Sequence, residues 1–174
     1  MLRRITVSLL AMLAVCVCSL SATTTQRGTY LRNVDRGFAI WIPAGYTKAA
    51  PRSERTIAYY TGGTHAAYAI ELLEPTELSL ADLLSARLRS AKEEFPDGKI
   101  EVIRNVDAGG RAAVLVIYSK LDGNAKFKGA EFVLALIPLT DKSTLPITLF
   151  TRTGGHGAAT ALGRWMLGTM SDPR

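Results

Sequence analysis

Two apolar runs on either side of a polar tip constrain the fold of this chain more than any other feature. The runs are residues 111–121 and 126–139, and the tip is Asp-Gly-Asn at 122–124. Such tip residues tolerate positive φ angles, so the pattern predicts a β-hairpin. Residues 113–118 and 132–137 show no alternation of polar and apolar side chains, which indicates strands covered on both faces. We therefore expect this hairpin at the centre of a sheet, with other layers packed around it.

The length and the charge of the chain favour one globular domain. A chain of 174 residues can bury a full core without disulfide support. The formal net charge is +6; removal of Arg3 and Arg4 leaves 19 basic against 15 acidic residues, a charge of about +4. This mild positive charge suits an envelope protein partner or an anionic surface. It is far from the footprint of a nucleic-acid-binding protein, so no nucleic-acid partner is predicted.

The N-terminal segment has the organisation of a cleavable signal peptide. A basic start at residues 3–4 precedes an apolar run at 5–20, and cleavage is expected after Ser21 or Ala22. The run is shorter than the roughly 20 apolar residues of a membrane span. We expect residues 1–22 to be removed, leaving a periplasmic or secreted protein without a stable transmembrane span. A membrane anchor through an uncleaved or lipidated N-terminus is the alternative.

Both cysteines, Cys16 and Cys18, fall inside that apolar run. Val15 and Val17 precede them, whereas a bacterial lipoprotein signal has a small residue directly before its cysteine. Cleavage as expected would leave a mature protein without cysteine. Such a protein has no disulfide, no thiolate nucleophile and no zinc–thiolate site.

The remaining pattern predicts an α+β fold with an antiparallel sheet. After a leader at 23–36, which can contain a short strand, a single domain is expected over 37–171. Short turns join about six to seven strands, and the polar stretch 47–53 reads as a loop. Two main helices, at about 79–95 and 158–170, flank the sheet in an α/β/α sandwich. Their predicted buried stripes are Leu80, Leu83, Leu84, Leu88, Ala91 and Phe95 for the first helix, and Ala158, Leu162, Trp165, Met166 and Thr169 for the second.

Two segments of the domain resemble the PsbP/DcrB-like family. Residues 37–46 (GFAIWIPAGY) resemble its strand-Pro-Gly-aromatic opening, and residues 110–118 (GRAAVLVIY) resemble its later Gly-x-Ala…Tyr strand. The resemblance runs from about Gly37 to Met170. It implies an antiparallel sheet flanked by helices, found in exported or thylakoid-lumen proteins with binding or stabilising roles, and it carries no shared catalytic residues.

The two histidines, His65 and His156, are the residues from which an enzyme or a metal site would be built. Each follows a Gly-Gly pair, so both are expected on loops. Neither belongs to a His-Glu-x-x-His motif or has an acidic residue at ligand spacing nearby. Turn residues without a chemical role explain them more simply. No catalytic residue, metal ligand or cofactor is predicted.

Residues 154–157 (Gly-Gly-His-Gly) precede the second helix and suggest a small ligand site. Free amides of Gly155, His156 and Gly157 at the helix start, with Arg152 nearby, can hold a carboxylate or a phosphate. A flexible connector explains the same glycines. We expect no Rossmann site, because Thr160 stands where the dinucleotide fingerprint has its third glycine and too few residues remain up to Arg174 for a second βα unit.

Two further surfaces are predicted from side-chain type. Lys120, Lys126 and Lys128 surround the hairpin tip and can meet an acidic partner or an anionic lipid surface, although lysines there also keep strand edges soluble. Tyrosines at 59, 60 and 68, with Trp41, can line an apolar pocket or simply pack in the core.

Three functions remain open at this point. The leading hypothesis is an exported, non-enzymatic binding or assembly module of the bacterial cell envelope, which rests on the signal segment and the resemblance. A periplasmic carrier of a small ligand or lipid is the second. A small hydrolase or metal-binding protein that uses His65 and His156 is the third.

Overall fold

A computed structural model describes residues 27–63, 66–121, 130–152 and 154–173. The predicted signal peptide with both cysteines, His65, the hairpin tip, Lys126 and Lys128 lie outside these ranges. Within them the elements are β1 (Arg27–Asn33), β2 (Phe38–Pro43), β3 (Tyr46–Ala49), β4 (Thr56–Gly62), β5 (Ala69–Leu73), α1 (Leu80–Glu94), β6 (Lys99–Asp107), β7 (Ala112–Ser119), β8 (Ala130–Pro138), β9 (Thr144–Arg152) and α2 (His156–Gly168).

The predicted α+β fold is confirmed. Seven strands form one antiparallel sheet in the order β3-β4-β5-β9-β8-β7-β6, and β1 and β2 form a separate two-stranded sheet. The last four strands are a meander, as the turn pattern predicts. Neither helix of the described ranges is long and apolar enough to span a membrane.

The prediction of a loop over residues 47–53 is wrong at its start, because β3 occupies Tyr46–Ala49 and pairs with β4. Tyr46 fixes this edge strand. Its ring is buried, and its hydroxyl donates a hydrogen bond of 2.8 Å to the carbonyl oxygen of Ala67. A buried aromatic anchor therefore outweighs the polar composition of the segment that follows it.

The strands of the central hairpin are buried on both faces, as predicted. Val114, Val116 and Tyr118 of β7 point towards α1, and the residues between them point towards α2. Leu115 and Val116 are both fully buried although they face opposite layers. The apolar run therefore reflects two covers, one on each side of the sheet.

Helix α1 begins and buries its stripe as the sequence predicts. The Ser79 hydroxyl accepts a hydrogen bond of 3.2 Å from the amide of Asp82, which satisfies one free donor of the first turn. The predicted apolar residues pack on one side of the sheet, four of them buried and Leu80 and Leu88 partly so.

Helix α2 packs on the opposite side with a different stripe from the one predicted. Ala158 is exposed, and the buried residues are Ala159, Leu162, Gly163, Met166 and Leu167. The reason is Gly163: a Cβ there would lie 3.2 Å from Cδ1 of Leu149, so the bare backbone sits directly on the sheet. The β1–β2 pair covers the rest of this side through Phe38, Ile40 and Ile42.

Candidate functional site

Helix α1 covers only part of its side of the sheet. The described residues in its hydrophobic cluster come from α1, the loop after β7 and strands β6, β7 and β8. The same side of β9, β5 and β4 extends beyond the helix. We call this uncovered part the open face.

A row of aromatic rings crosses from under α1 onto the open face. Tyr118, Phe132 and Phe150 are register partners on β7, β8 and β9, so their side chains lie side by side. Ring centroids are 5.7 Å apart for Tyr118–Phe132 and 6.1 Å for Phe132–Phe150, and Tyr68 continues the row 6.3 Å beyond Phe150. Tyr68 is 44% exposed. These four residues are the aromatic row.

Arg52 reaches over the far end of the row from the loop between β3 and β4. Its guanidinium carbon is 4.9 Å from the Phe150 ring centre and 5.7 Å from that of Tyr59. Both distances are within the range of a cation–π contact. A positive charge is thereby held above an apolar surface.

Glu71 anchors the loop that carries Arg52. Its carboxylate is 8% exposed and accepts a hydrogen bond of 2.8 Å from the Thr56 hydroxyl. The Thr56 oxygen in turn accepts a bond of 3.2 Å from the amide of Ser53, the residue after Arg52. This chain of contacts fixes the backbone next to the arginine.

A cavity of about 200 Å³ lies between α1 and the aromatic row, and we call it the α1 cleft. Its walls are mainly apolar, with polar groups from α1 at the mouth. The lining residues are Leu73, Arg87, Ser90, Ala91, Glu94, Phe95, Tyr118, Phe132, Leu134, Thr148 and Phe150. They come from five elements and the C-cap of α1, so the cleft exists only in the folded chain.

Tyr118 places a phenol in the wall of the cleft. The residue is only 6% exposed, and its hydroxyl has no hydrogen-bond partner among the residues that the structure describes. Burial raises the pKa of this phenol, and the positive charge of Arg87 acts in the opposite direction. With its pKa above the ordinary value of 10.0, the group is protonated at neutral pH and can donate a hydrogen bond.

The predicted tyrosine pocket is therefore only partly matched. Tyr59 and Tyr68 lie on the open face, but Tyr60 is 2% exposed in the core on the α2 side. Trp41 stacks on Tyr30 at 5.0 Å, away from the cleft. The residues that sequence reasoning missed are Phe132 and Phe150, whose apolar setting signals only a buried strand.

His156 lies on the other side of the sheet from the cleft. Its Nδ1 is 3.0 Å from a carboxylate oxygen of Glu131, which is nine-tenths buried on β8. Sequence reasoning missed this pair because the two residues are 25 positions apart. A carboxylate holds the imidazole ring in place, but among the described residues no group of three potential metal ligands is present.

The predicted anion site before α2 stays a prediction. Gly155 is the N-cap residue, and its amide already donates a bond of 2.8 Å to the carbonyl oxygen of Arg152. Arg152 and Gly157 are exposed. The lysine surface likewise stays a prediction: Lys120 is exposed, and its two partners lie outside the described residues.

The sequence matches no known protein family and no curated protein. Solved structures are similar in fold. The cyanobacterial PsbP of Synechocystis sp. PCC 6803 has a TM-score of 0.59 at 12% identity, covering 90% of this chain and 98% of that one. The Saccharomyces cerevisiae Ran-binding protein Mog1p has a TM-score of 0.57 at 12% identity, over 86% and 96%. A Mog1 mutant has a TM-score of 0.55 at 13% identity, over 83% and 95%. This chain therefore has a PsbP-like fold.

Proposed function

We propose that this chain is an exported, non-enzymatic binding module, and that its binding site is the α1 cleft with the aromatic row. The observation that carries the proposal is the cleft: a mainly apolar concave wall with a few polar groups converging at its mouth. Small-ligand sites in proteins have this composition. The fold agrees with such a role, since one solved structure of similar fold is named as a Ran-binding protein.

Export is part of the proposal and is supported by the sequence of residues 1–22. A basic start, an apolar run and small residues before the expected cleavage point are the three parts of a signal peptide. Membership of the PsbP/DcrB-like family is also proposed, on the two resembling segments at 37–46 and 110–118. A mature N-terminus at Ala22 or Thr23, found by sequencing the protein from an extracytoplasmic fraction, is the expected result. An intact Met1 in the cytoplasm would contradict it.

The cleft favours the carrier version of this function over assembly with another protein. Its volume of about 200 Å³ equals roughly seven water molecules at about 30 Å³ each. That is less than the roughly 300 Å³ at which pockets for drug-sized ligands begin. A short apolar chain fits such a space.

The test compares two substitutions on the same helix. Ser90 is exposed and lines the cleft, so Ser90→Trp places an indole at its mouth; Ser85 is exposed on α1 and does not line it. Native mass spectrometry of protein purified from its own host is expected to show a bound small mass in the unmodified protein and in Ser85→Trp, and loss of that mass in Ser90→Trp. If all three proteins carry the same bound small mass, or if the unmodified protein carries none, the carrier version is overturned.

A further inference from the structure

We infer that the α1 cleft is built for an amphipathic anion, a medium-length acyl chain that ends in a carboxylate. This inference rests on the carrier version of the proposed function and adds the chemical class of the ligand. The apolar walls take the chain, and the hydroxyl of Tyr118 with the guanidinium groups of Arg87 and Arg52 attracts the head group. Three independent features of the cleft support it.

The first feature is the unpartnered phenol. Tyr118 is more than nine-tenths buried, lines the cleft and has no hydrogen-bond partner among the described residues. The hydroxyl oxygen itself is not fully buried, so it is reachable from the cleft and can donate a hydrogen bond to water or to a bound acceptor. A carboxylate oxygen is an acceptor, and an ammonium group is not.

The second feature is the pair of arginines on opposite sides of the aromatic row. Arg87 projects from α1 close enough to Tyr118 to act on its pKa, and Arg52 lies over Phe150. Within the described ranges, neither arginine forms an ion pair with a carboxylate. Arg87, which lines the cleft, is therefore available to an anionic group at the mouth, and Arg52 adds positive charge over Phe150.

Glu94 is the opposing charge. It lines the cleft from the C-terminal end of α1, seven residues after Arg87, and is exposed. Exposed charges are well screened, so one carboxylate at the mouth weakens the binding of an anion only slightly. The two charges therefore have opposite expected effects. Neutralising Glu94 strengthens the binding of an anion, whereas neutralising Arg87 weakens it.

The third feature is the size of the cleft. A volume of about 200 Å³ holds a short chain and excludes the body of a phospholipid with two long tails. The polar side chains of α1 line the cleft opposite the apolar side chains of the sheet, so an acyl chain and its head group can contact different residues. Octanoate is therefore the probe of choice, with octanol and octylamine as neutral and cationic counterparts of equal chain length.

Isothermal titration calorimetry of the three probes at neutral pH is the test. Octanoate is expected to bind at least fivefold more tightly than octanol, and octylammonium least tightly, because its charge meets the positive charges of Arg87 and Arg52 against the single exposed carboxylate of Glu94. Tyr118→Phe is expected to weaken octanoate about five- to tenfold and octanol by less, because a neutral alcohol oxygen is a weaker acceptor than a carboxylate. Arg87→Gln is expected to weaken it about threefold, and Glu94→Gln to strengthen it about twofold.

Arg89→Gln is the matched control, because Arg89 is an exposed arginine of α1 that does not line the cleft. Its octanoate affinity should be unchanged, so an effect equal to that of Arg87→Gln would overturn the inference. If the three probes bind equally and Ser90→Trp abolishes their binding, the carrier function stands. The inference that the ligand is an anion is then overturned. No binding of any probe would overturn the carrier function itself.

Discussion

The two faces of the seven-stranded sheet differ in how much of each is covered. On the α2 side, helix α2 and the β1–β2 pair seal the surface, and residues such as Ile70, Leu115 and Val133 are fully buried. On the α1 side, one helix covers β6–β8 and leaves aromatic rings partly exposed on β9 and its neighbours. We call the α2 side of the sheet the closed face. The closed face supplies stability, and the incomplete cover of the α1 side creates the cleft.

The largest expected effect comes from two neighbouring residues of β9 that point to opposite faces. Leu149 is 1% exposed beneath α2, whereas Phe150 is half-buried on the open face. Leu149→Ala is expected to lower the free energy of unfolding by about 3 kcal/mol, because it leaves a cavity in a sealed core. Phe150→Ala is expected to cost only about 1 kcal/mol, since the half-buried ring removes less apolar surface from water and solvent fills the space it leaves.

Urea denaturation of both variants measures this difference directly. The proposed difference between the two faces is contradicted if Phe150→Ala lowers the free energy of unfolding as much as Leu149→Ala does. The open face would then be packed like the core. Phe150→Ala should also weaken octanoate binding, and Leu149→Ala should leave it unchanged in protein that remains folded.

A second, smaller effect is expected at the anchor of the Arg52 loop. Thr56→Val keeps the shape of the side chain but removes the hydroxyl that donates to the buried Glu71 carboxylate. We expect a loss of about 1–2 kcal/mol in the free energy of unfolding, since a buried acceptor is left without its donor. Urea denaturation measures it, with Thr47→Val on the exposed side of β3 as control.

If Thr56→Val is as stable as the control, Glu71 does not depend on Thr56 and the loop has another anchor. The same variant sharpens the functional comparison, because a loosened loop no longer holds Arg52 over Phe150. Weaker octanoate binding is therefore expected together with the loss of stability.

The smallest expected effect is a dependence of stability on alkaline pH. Burial raises the pKa of Tyr60 on the closed face and of Tyr118 in the cleft above the ordinary 10.0. A raised folded-state pKa contributes stability that is fully present below pH 10 and is lost as the pH rises through the folded value. Tyr118→Phe should reduce the fall in urea midpoint between pH 9 and pH 11, and Tyr60→Phe should reduce it as well.

An unchanged pH profile in Tyr118→Phe would mean that the phenol ionises as freely in the folded protein as in the unfolded one. That result would contradict a buried donor in the cleft wall. If only Tyr60→Phe reduces the dependence of stability on alkaline pH, then only the closed face holds a phenol whose burial affects its ionisation.

The sequence predicts the elements well because each has a local signal. Residues 113–118 and 132–137 are continuous apolar runs, and α1 has a cap and one clear stripe. Helix α2 has two overlapping apolar stripes, and which of them is buried depends on Gly163. The close approach of Gly163 to Leu149 cannot be read from any local sequence pattern. The local pattern does not predict β3, because its anchor, Tyr46, donates a hydrogen bond to a residue 21 positions away.

The site was less predictable than the fold for the same physical reason. The cleft joins Leu73, Arg87, Tyr118 and Phe150, which become neighbours only through strand order and register. The local sequence signals point instead to Gly155 and His156, where glycine and histidine cluster along the chain. Those positions lie on the α2 side of the sheet, and their role as an anion site stays a prediction.

An NMR titration of the ¹⁵N-labelled protein with octanoate tests the central claim most directly, because it reports on both faces at once. The amide signals of Ser90, Tyr118 and Phe150 are expected to shift with one common dissociation constant, while those of Gly155, His156 and Leu162 stay in place. Shifts confined to residues 155–157 with none around the cleft would contradict the account. They would assign the binding site to the start of α2.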